Sequence, residues 1–492
     1  MIARHTAYNL AGLGVPLIVA VFTIPILIHE LGPARFGLLT LIWAVVSYFG
    51  LFDLGLGRAL TQRLAVAWSR DATSDIGPEL STGLLMMAAL GIVAAVALYV
   101  ATPWAANAIR DVPDRAEAIA SLHALSLAMP AIILTSGLRG VLEARRAFGI
   151  VNAIRLPLGL FTFLGPWAVI TLVGPRLDVI AWVLCLGRVV GCVLHAVLAV
   201  RQLPDRPYSR APKLALVRPL CVAGGWLTLS NVISPLMGYA DRFVIGALVS
   251  AAAVALYATP QEVVTKLWII PGALTSALFP AFAVQHATQA AALQPMFARV
   301  LHALIAAVLG ITVVLALFAH ELLSLWIGGD FADRGAPLLQ IFSIGILVNS
   351  AAHIPFTLIQ SAGHARLTAL IHLIELPFFL VLIWYATRSY GLPGAALSWL
   401  LRMVVDTAAM FAVCHRLMGW PMRALVNPRS MGFLMLCTAG FAGTQFESAT
   451  ARAAWGVAIA ATAALSVYAA HNTTALGGTL PSKPSTSHLD PP

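Results

Sequence analysis

Long apolar runs, each about twenty residues, follow one another along almost the whole chain and are separated by short polar connections. A run of this length suits a helix that crosses about 30 Å of hydrocarbon, whereas membrane barrels show shorter alternating segments. The pattern therefore predicts about fourteen transmembrane helices. These spans are predicted at residues 10–28, 37–56, 83–102, 119–139, 156–174, 178–200, 221–248, 251–284, 300–319, 336–355, 369–386, 392–415, 431–446 and 453–470.

The composition agrees with this pattern. Of the 492 residues, 60% are hydrophobic and 10% are charged, whereas soluble domains carry about 25% charged residues. The predicted fold class is therefore an all-α polytopic membrane protein. The longest connections, at residues 57–82 and 201–220, leave no room for an appended soluble domain.

A basic, proline-containing connector lies between the sixth and seventh spans, at residues 201–219. It predicts an N-lobe of residues 1–210 with spans 1–6 and a C-lobe of residues 211–420 with spans 7–12. Two additional spans fall in residues 421–470. The tail of residues 471–492 is rich in Ser, Thr, Gly and Pro and is predicted to be disordered and cytoplasmic.

A weak internal repeat supports the division into two lobes. Leu56–Ala65 and Leu274–Ala283 share four small or apolar residues when they are aligned. Because each lobe has an even number of spans, two such lobes would run parallel, related by an axis along the membrane normal. The expected architecture is two pseudo-symmetric six-helix lobes around a central cavity, plus two C-terminal helices.

The net charge of +10 comes mainly from basic residues in the connections. With the N-terminus placed inside, nineteen of the 30 Lys and Arg residues fall on the cytoplasmic side and eight on the other side. Positive residues in short loops mark the cytoplasmic side, so both termini are predicted to be cytoplasmic. No loop combines basic residues with interleaved aromatics, and no nucleic-acid partner is expected.

Three basic residues lie inside predicted spans: Arg188, Lys266 and Arg402. A charge at the bilayer centre costs about 2.5–3.5 kcal/mol on the insertion scale, so each needs a partner, a wet cavity or a ligand. Glu262 precedes Lys266 by four residues, and Asp406 follows Arg402 by four. Each of these cations therefore either pairs with the acid on its own helix face or contacts substrate. Arg188 has no acid within one turn, so its partner lies elsewhere or is the ligand.

Other charged residues within or near the spans are candidates for gating or ion coupling. Asp241 and Arg242, near the far end of span 7, are predicted to form a structural or gating pair. Glu375, in the middle of span 11, is a candidate proton or cation site.

The sequence contains no signature of ATP hydrolysis, metal binding or a disulfide framework. None of the three lysines belongs to a Gly-Lys-Ser/Thr phosphate-binding loop. The five cysteines form no CxxC and the thirteen histidines form no HExxH. We therefore expect no metal and no cofactor.

Four stretches together carry a family resemblance that covers most of the chain: Asn9–Ala65, the segment from Asn231 to Asp241-Arg242, Leu322–Leu339 and Leu358–Leu367. Their pattern resembles the polysaccharide biosynthesis flippases, the O-antigen type of the multidrug/oligosaccharidyl-lipid/polysaccharide exporter superfamily. The resemblance implies a two-lobed alternating-access fold. It also implies an undecaprenyl-diphosphate-linked oligosaccharide that is moved from the cytoplasmic to the periplasmic leaflet of the bacterial inner membrane.

The resemblance also bears on site residues. Asp53, Arg58 and Arg139 match charged positions of the family pattern, and a helix-end charge network that gates the cavity is the alternative role. Arginine suits phosphate because its planar fork can bind two oxygens. The substrate-binding candidates are Lys266, Arg188, Arg402, Arg58 and Arg139. The gating or ion-coupling candidates are Asp53, Asp241, Arg242, Glu262, Asp406 and Glu375.

Two alternatives remain beside the flippase hypothesis. A peptidoglycan-precursor flippase or a cation-coupled drug or metabolite antiporter would have the same fold. A membrane polymerase or ligase would need a sizeable periplasmic loop with an acid/base pair. The largest periplasmic connection, at residues 102–118, is too small and lacks a convincing acid/base pair. We therefore expect no enzyme. The expected partners are a lipid-linked oligosaccharide and the bilayer, with a polysaccharide polymerase and glycosyltransferases as further candidates.

Overall fold

The structure is a computed structural model that describes residues 2–49, 53, 55–69, 73–203, 211–288, 290–420 and 428–476. Over these residues the regular elements are all helices. The helices are α1 (Ile2–Phe49), α2 (Leu56–Ser69), α3 (Thr73–Ala108), α4 (Arg115–Ala144), α5 (Phe148–Leu172), α6 (Leu177–Val200), α7 (Val217–Leu248), α8 (Ala251–Thr265), α9 (Ile269–Thr288), α10 (Ala290–Leu317), α11 (Ala319–Trp326), α12 (Gly329–Ser361), α13 (Ala365–Met418), α14 (Pro428–Ala442) and α15 (Ala449–Leu476).

Two of these helices are too long for one membrane crossing. α1 has 48 residues and α13 has 54, which correspond to about 72 Å and about 81 Å of straight helix. Each is broken at one glycine with a positive φ, 74° at Gly32 and 63° at Gly391. Glycine tolerates this backbone conformation because it has no Cβ. Each helix therefore carries one predicted span on each side of its break. Predicted span 37–56 runs past the end of α1 at Phe49, and residues 50–52 and 54 lie outside the described part.

The contacts of α13 show that its two arms fold back on each other. The guanidinium carbon of Arg402 lies 5.3 Å from the ring centroid of Phe379, although the two residues lie on opposite sides of Gly391. A Cβ at Gly394 would overlap the carbonyl oxygen of Ala386 on the other arm. Gly391 is thus the tip of a helical hairpin.

The predicted spans coincide with helices of the structure. Within the described residues, nine helices are long and apolar enough to cross a membrane, and two of these overlap two predicted spans each. The remaining predicted spans, at residues 221–248, 431–446 and 453–470, fall on α7, α14 and α15. The protein is an all-helical polytopic membrane protein, as predicted, while the number fourteen stays a prediction.

The structure differs from the expected boundaries at two places. The predicted connection at residues 57–82 is largely helical, because α2 and the start of α3 lie in it. The predicted disordered tail begins too early, since α15 continues to Leu476. Residues 471–476 contain Ala and Leu, which favour helices, and the first glycine follows at 477. Residues 477–492 lie outside the described part.

The chain forms two compact units. Unit 1 comprises Met1–Val263, His320–Leu338 and Ala365–Arg402, and unit 2 comprises Val264–Ala319, Leu339–His364 and Met403–Pro492. In unit 1, α4 packs along α3 and α6, and α1 packs along α5. In unit 2, α10 packs against α9, α14 and α15. The division into lobes of residues 1–210 and 211–420 stays a prediction.

Within unit 1, hydrogen bonds of Arg110 join the α3–α4 loop to the α7–α8 turn. The Arg110 amide donates to the Gly246 carbonyl at 2.9 Å, and its Nη1 donates to the Leu248 carbonyl at 3.0 Å. The Ala251 amide donates in turn to the Arg110 carbonyl at 3.0 Å. These bonds satisfy backbone groups at the end of α7 and the start of α8 that have no partner within their own helices.

The part of α1 that follows the break at Gly32 packs closely against the same turn, with the backbone of Gly37 next to that of Ala251. A methyl group at Gly37 would overlap the carbonyl oxygen of Ala251. We therefore expect Gly37→Ala to lower the stability of the purified protein by about 1–3 kcal/mol, which is typical of overpacking. Thermal unfolding in a single detergent measures this change.

Gly14 on the same helix provides the matched control. Nothing lies within 4 Å of the position that a Cβ would take there. Gly14→Ala should leave the stability unchanged or raise it slightly, because alanine favours helices over glycine. Equal effects of the two substitutions would contradict the role assigned to Gly37.

Candidate functional site

The predicted pair of Asp241 and Arg242 lies in a buried polar network of unit 1 that joins α7 to α8. The Asp241 side chain is fully buried. Its carboxylate accepts hydrogen bonds from the Arg242 amide at 2.8 Å, the Tyr257 hydroxyl at 3.0 Å and Gln261 Nε2 at 2.6 Å. Such a set of donors satisfies a buried carboxylate and lets it remain inside the protein.

Arg242 pairs across the same helix interface with Glu262. Its Nη2 donates to Glu262 Oε1 at 2.6 Å, and its guanidinium carbon lies 5.2 Å from the ring centroid of Tyr239. The Arg242 side chain is 5% exposed and that of Glu262 is 34% exposed. The acid that sequence spacing assigned to Lys266 therefore has a salt bridge to another helix, and this network has the features of a structural connection within unit 1.

Arg188 presents a different environment. It is the twelfth of the 24 residues of α6, so it lies near the middle of that span. It is partly covered by the protein. Among the described residues it has no hydrogen-bond or ion-pair partner. Arg188 is thus an uncompensated cation at mid-span.

Lys266 lies at an interruption of the predicted eighth span. The chain leaves α8 at Thr265, forms a 3₁₀ turn over Lys266–Trp268 and continues as α9. Lys266 is exposed in unit 2. Interrupted helices near the midplane are a common feature of transporter binding sites, because the break leaves backbone groups and side chains accessible.

The turn that contains Lys266 is anchored within unit 2 by a chain of hydrogen bonds. Trp268 Nε1 donates to Asn349 Oδ1 at 3.0 Å, and Asn349 Nδ2 donates to Asp406 Oδ2 at 3.2 Å. Both Asn349 and Asp406 are buried. The predicted coupling residue Asp406 is therefore linked to the turn of Lys266 through one asparagine.

The other predicted residues of α13 lie in unit 1. Arg402 is partly buried and has the Phe379 ring contact described above. Glu375 is 9% exposed in the first arm of the hairpin. Their roles in substrate binding and in ion coupling stay predictions.

Asp53 has a clear local function as the cap of α2. Its carboxylate accepts from the amides of Gly55 at 3.0 Å and Gly57 at 3.1 Å, at the start of the helix. It also accepts a short hydrogen bond from the Ser136 hydroxyl on α4. A carboxylate at a helix N-terminus is favoured by the unpaired amides and by the helix dipole.

We expect Asp53→Ala to destabilise the protein by about 1–3 kcal/mol, since three donors lose their acceptor. Ser136→Ala is the comparison variant, because it removes one hydrogen bond and leaves the cap intact, and it should cost less. Thermal unfolding should be measured on both variants. An Asp53→Ala protein as stable as the wild type would contradict the capping role.

Arg58 and Arg139 are both exposed. Arg58 lies on the first turn of α2, and Arg139 lies on α4 with its Nε 3.4 Å from Glu143 Oε1. These positions are compatible with substrate contact, which stays a prediction for both residues.

Several polar residues of these networks were not singled out from the sequence. They are Tyr257, Gln261, Trp268 and Asn349. Tyr257 and Gln261 are four residues apart, so the sequence alone predicts that they share a helix face. Trp268 and Asn349 are far apart in the chain, and their hydrogen bond follows from tertiary packing alone.

The fold is shared with membrane proteins of known structure. The structure is similar to the inward-facing conformation of a multidrug resistance MATE family transporter of the MOP superfamily, with a TM-score of 0.70 and 15% identity, covering 84% of this chain and 94% of that one. It is also similar to the lipid II flippase MurJ in an inward closed conformation, with a TM-score of 0.69 and 11% identity, covering 93% and 98%. The protein thus has the fold that these transporters and flippases share.

The chain belongs to the polysaccharide biosynthesis protein family, whose profile matches residues 2–286. It is 29% identical over 406 residues to the "Putative O-antigen transporter" of Shigella flexneri, a match that covers 82% of this chain and 96% of that protein. The predicted family is confirmed.

Proposed function

We propose that this protein is a flippase for an undecaprenyl-diphosphate-linked oligosaccharide, the repeat unit of a surface polysaccharide. It moves this lipid from the cytoplasmic to the periplasmic leaflet of the inner membrane by alternating access. Both termini lie in the cytoplasm, which follows the excess of Lys and Arg in the connections assigned to that side.

The proposal depends mainly on one observation: Arg188, near the middle of α6, has no hydrogen-bond or ion-pair partner among the described residues. An arginine that has no partner among the described residues is unfavourable at this depth unless water or a ligand contacts it. A diphosphate supplies the missing anion, and the planar guanidinium can bind two of its oxygens at once. A cationic drug would be repelled by the same group, so the residue favours an anionic lipid over the substrates of a drug antiporter.

Two further residues support an anionic substrate. Lys266 is exposed at the 3₁₀ turn between α8 and α9, and Arg402 lies in the second arm of the α13 hairpin. We propose that both contribute to the cavity, and that lobes of residues 1–210 and 211–420 alternate around it. Family membership and the likeness to an O-antigen transporter agree with this substrate class.

The experiment that tests the proposal is lipid analysis of a strain that lacks the gene. Lipid-linked sugars are extracted and identified by mass spectrometry, and their leaflet is determined with a periplasmic sugar-modifying enzyme. The expected result is an undecaprenyl-diphosphate oligosaccharide that accumulates on the cytoplasmic side and disappears on complementation.

Each other outcome points to a different function. Accumulation of a peptidoglycan precursor would replace the oligosaccharide with lipid II as the substrate. Normal lipid pools together with changed drug tolerance would favour an antiporter. Either result would overturn the proposed substrate.

A further inference from the structure

Pro25 leaves one backbone carbonyl of α1 without a donor from its own helix. A regular helix pairs each carbonyl with the amide four residues later, and proline has no amide hydrogen. The carbonyl concerned is that of Val21. Both residues lie in Gly14–Ser47, a segment apolar enough to cross a membrane. Because hydrocarbon offers no hydrogen bond, the Val21 carbonyl needs a donor from another element.

An indole from a distant part of the chain supplies this donor. Trp326 is the last residue of α11, and its Nε1 donates to the Val21 carbonyl at 2.6 Å. An indole N–H can only donate, so it suits a carbonyl that has lost its amide. The two residues are 305 positions apart in the sequence. The bond therefore joins α1 to α11 through tertiary packing.

Trp326 lies in the segment where α11 turns into α12, here called the α11–α12 corner (His320–Leu338). The turn is formed at Gly328, whose φ is 136°. The amides of Ile327 and Gly328 both donate to the Leu323 carbonyl, at 2.8 Å and 3.2 Å. These bonds close the end of α11 and fix the backbone that precedes and follows the indole.

Two further contacts fasten α11 to the start of α12. His320 Nε2 lies 2.9 Å from Asp333 Oδ1, and a Cβ at Gly335 would lie only 3.2 Å from Leu323 Cδ1. The α11–α12 corner groups with α1 in unit 1, whereas the chain on either side of it belongs to unit 2. The corner is therefore a small structured element that presents Trp326 to α1.

We propose that Trp326 is a latch that keeps α1 on the α11–α12 corner in one conformation of the proposed transport cycle. While the latch is closed, the indole satisfies the Val21 carbonyl. When α1 and the corner separate, this carbonyl takes its hydrogen bond from water in the cavity. Pro25 gives the latch its effect, because an amide at position 25 would satisfy the carbonyl in both states. The inference rests on the proposed alternating access, but not on the identity of the substrate.

A double-mutant cycle tests the hydrogen bond apart from the packing of the ring. Trp326→Phe keeps an aromatic ring and removes the donor. It should lower the unfolding temperature of the full-length protein in nanodiscs by about 1–3 °C. Pro25→Ala gives Val21 an amide donor from its own helix, so Trp326→Phe should have little effect in that background. An equal loss in both backgrounds would mean that the bond has no role, and it would overturn the proposal.

Trp455 provides the matched control. Its Nε1 donates to the Ala439 carbonyl at 2.9 Å within unit 2. Trp455→Phe therefore also removes an indole hydrogen bond to a backbone carbonyl, but far from Pro25 in the chain. Its effect on the unfolding temperature should be the same with and without Pro25→Ala. A change in that effect would show that the coupling is not specific to the latch and would overturn the proposal.

A spin-label pair measures the conformation that the latch controls. The labels replace Phe22 and Leu325, which are 70% and 90% exposed and adjoin the two bonded residues, in a protein whose native cysteines are replaced by alanine. Trp326→Phe should raise the population of a longer distance relative to the short one about fivefold, the equivalent of one hydrogen bond. Pro25→Ala should shift the populations in the same direction. Unchanged distances in Trp326→Phe would refute the latch.

The latch and the proposed flippase function fail in different measurements. Unchanged distances, together with an oligosaccharide lipid that accumulates in the deletion strain, would remove the latch and leave the flippase in place. Shifted distances with normal lipid pools would support the latch and overturn the proposed substrate.

Discussion

Replacement of Arg188 by leucine is expected to abolish polysaccharide export and to raise the stability of the purified protein at the same time. The guanidinium has no hydrogen-bond or ion-pair partner among the described residues. An arginine at the centre of a span is less favourable than leucine by about 3 kcal/mol or more on the insertion scale. The substitution therefore removes an unfavourable charge from the protein and, with it, the cation that we propose to bind the substrate.

Two measurements on the same variant check this prediction. Export is measured by complementation of the deletion strain, and stability by thermal unfolding in nanodiscs of fixed composition. Arg188→Lys is the matched control, because it keeps the charge and loses the planar fork, and it should retain part of the export. A leucine variant that unfolds at a lower temperature than the wild type would show that Arg188 has a structural partner and would refute its proposed role.

Replacement of Arg242 by leucine should have the opposite consequence for stability. Arg242 is nearly fully buried and donates to Glu262, while Asp241 beside it is completely buried. Removing one member of a buried ion pair leaves the other charge uncompensated, which typically costs about 3–5 kcal/mol. The variant should therefore unfold at a markedly lower temperature and accumulate poorly in the membrane.

The exposed pair of Arg176 and Asp178 provides the control for Arg242. Arg176 Nη2 lies 2.6 Å from Asp178 Oδ2, the same distance as in the buried pair, but 60% of the Arg176 side chain is exposed. Exposed pairs contribute little because water already stabilises both charges. Arg176→Leu should leave the unfolding temperature nearly unchanged. A stable Arg242→Leu protein that fails in export would favour a gating role for the network over a structural one.

Together these two arginines illustrate what distinguishes the cation that we propose for the substrate, Arg188, from a structural one, Arg242. Both lie on long apolar helices, and the sequence marks both as unfavourable charges. Arg242 has an acid on the neighbouring helix, whereas Arg188 has none among the described residues. The difference lies entirely in the neighbours that tertiary packing brings to each side chain.

The positions of the helices follow from the sequence, because about twenty consecutive apolar residues can be accommodated in a bilayer only as a hydrogen-bonded helix. The same argument established the membrane class and the candidate cations. The resemblance of four local stretches to a known family was a separate signal, and the family it indicated is the correct one. Hydropathy, however, averages over many residues and does not detect a change in one backbone angle. The folding back at Gly391 and the 3₁₀ turn at Lys266 were therefore missed.

The partners of the charged residues depend on the tertiary structure. Sequence spacing places Glu262 one turn from Lys266, but the structure adds a salt bridge to Arg242 on another helix. Asp53 was a candidate gating residue, and the structure makes it the cap of a helix that hydropathy did not predict. An apolar pattern identifies which residues enter the membrane. Because helices of similar hydropathy can pack in many ways, only the folded chain decides which polar groups meet there and which cation is left for the substrate.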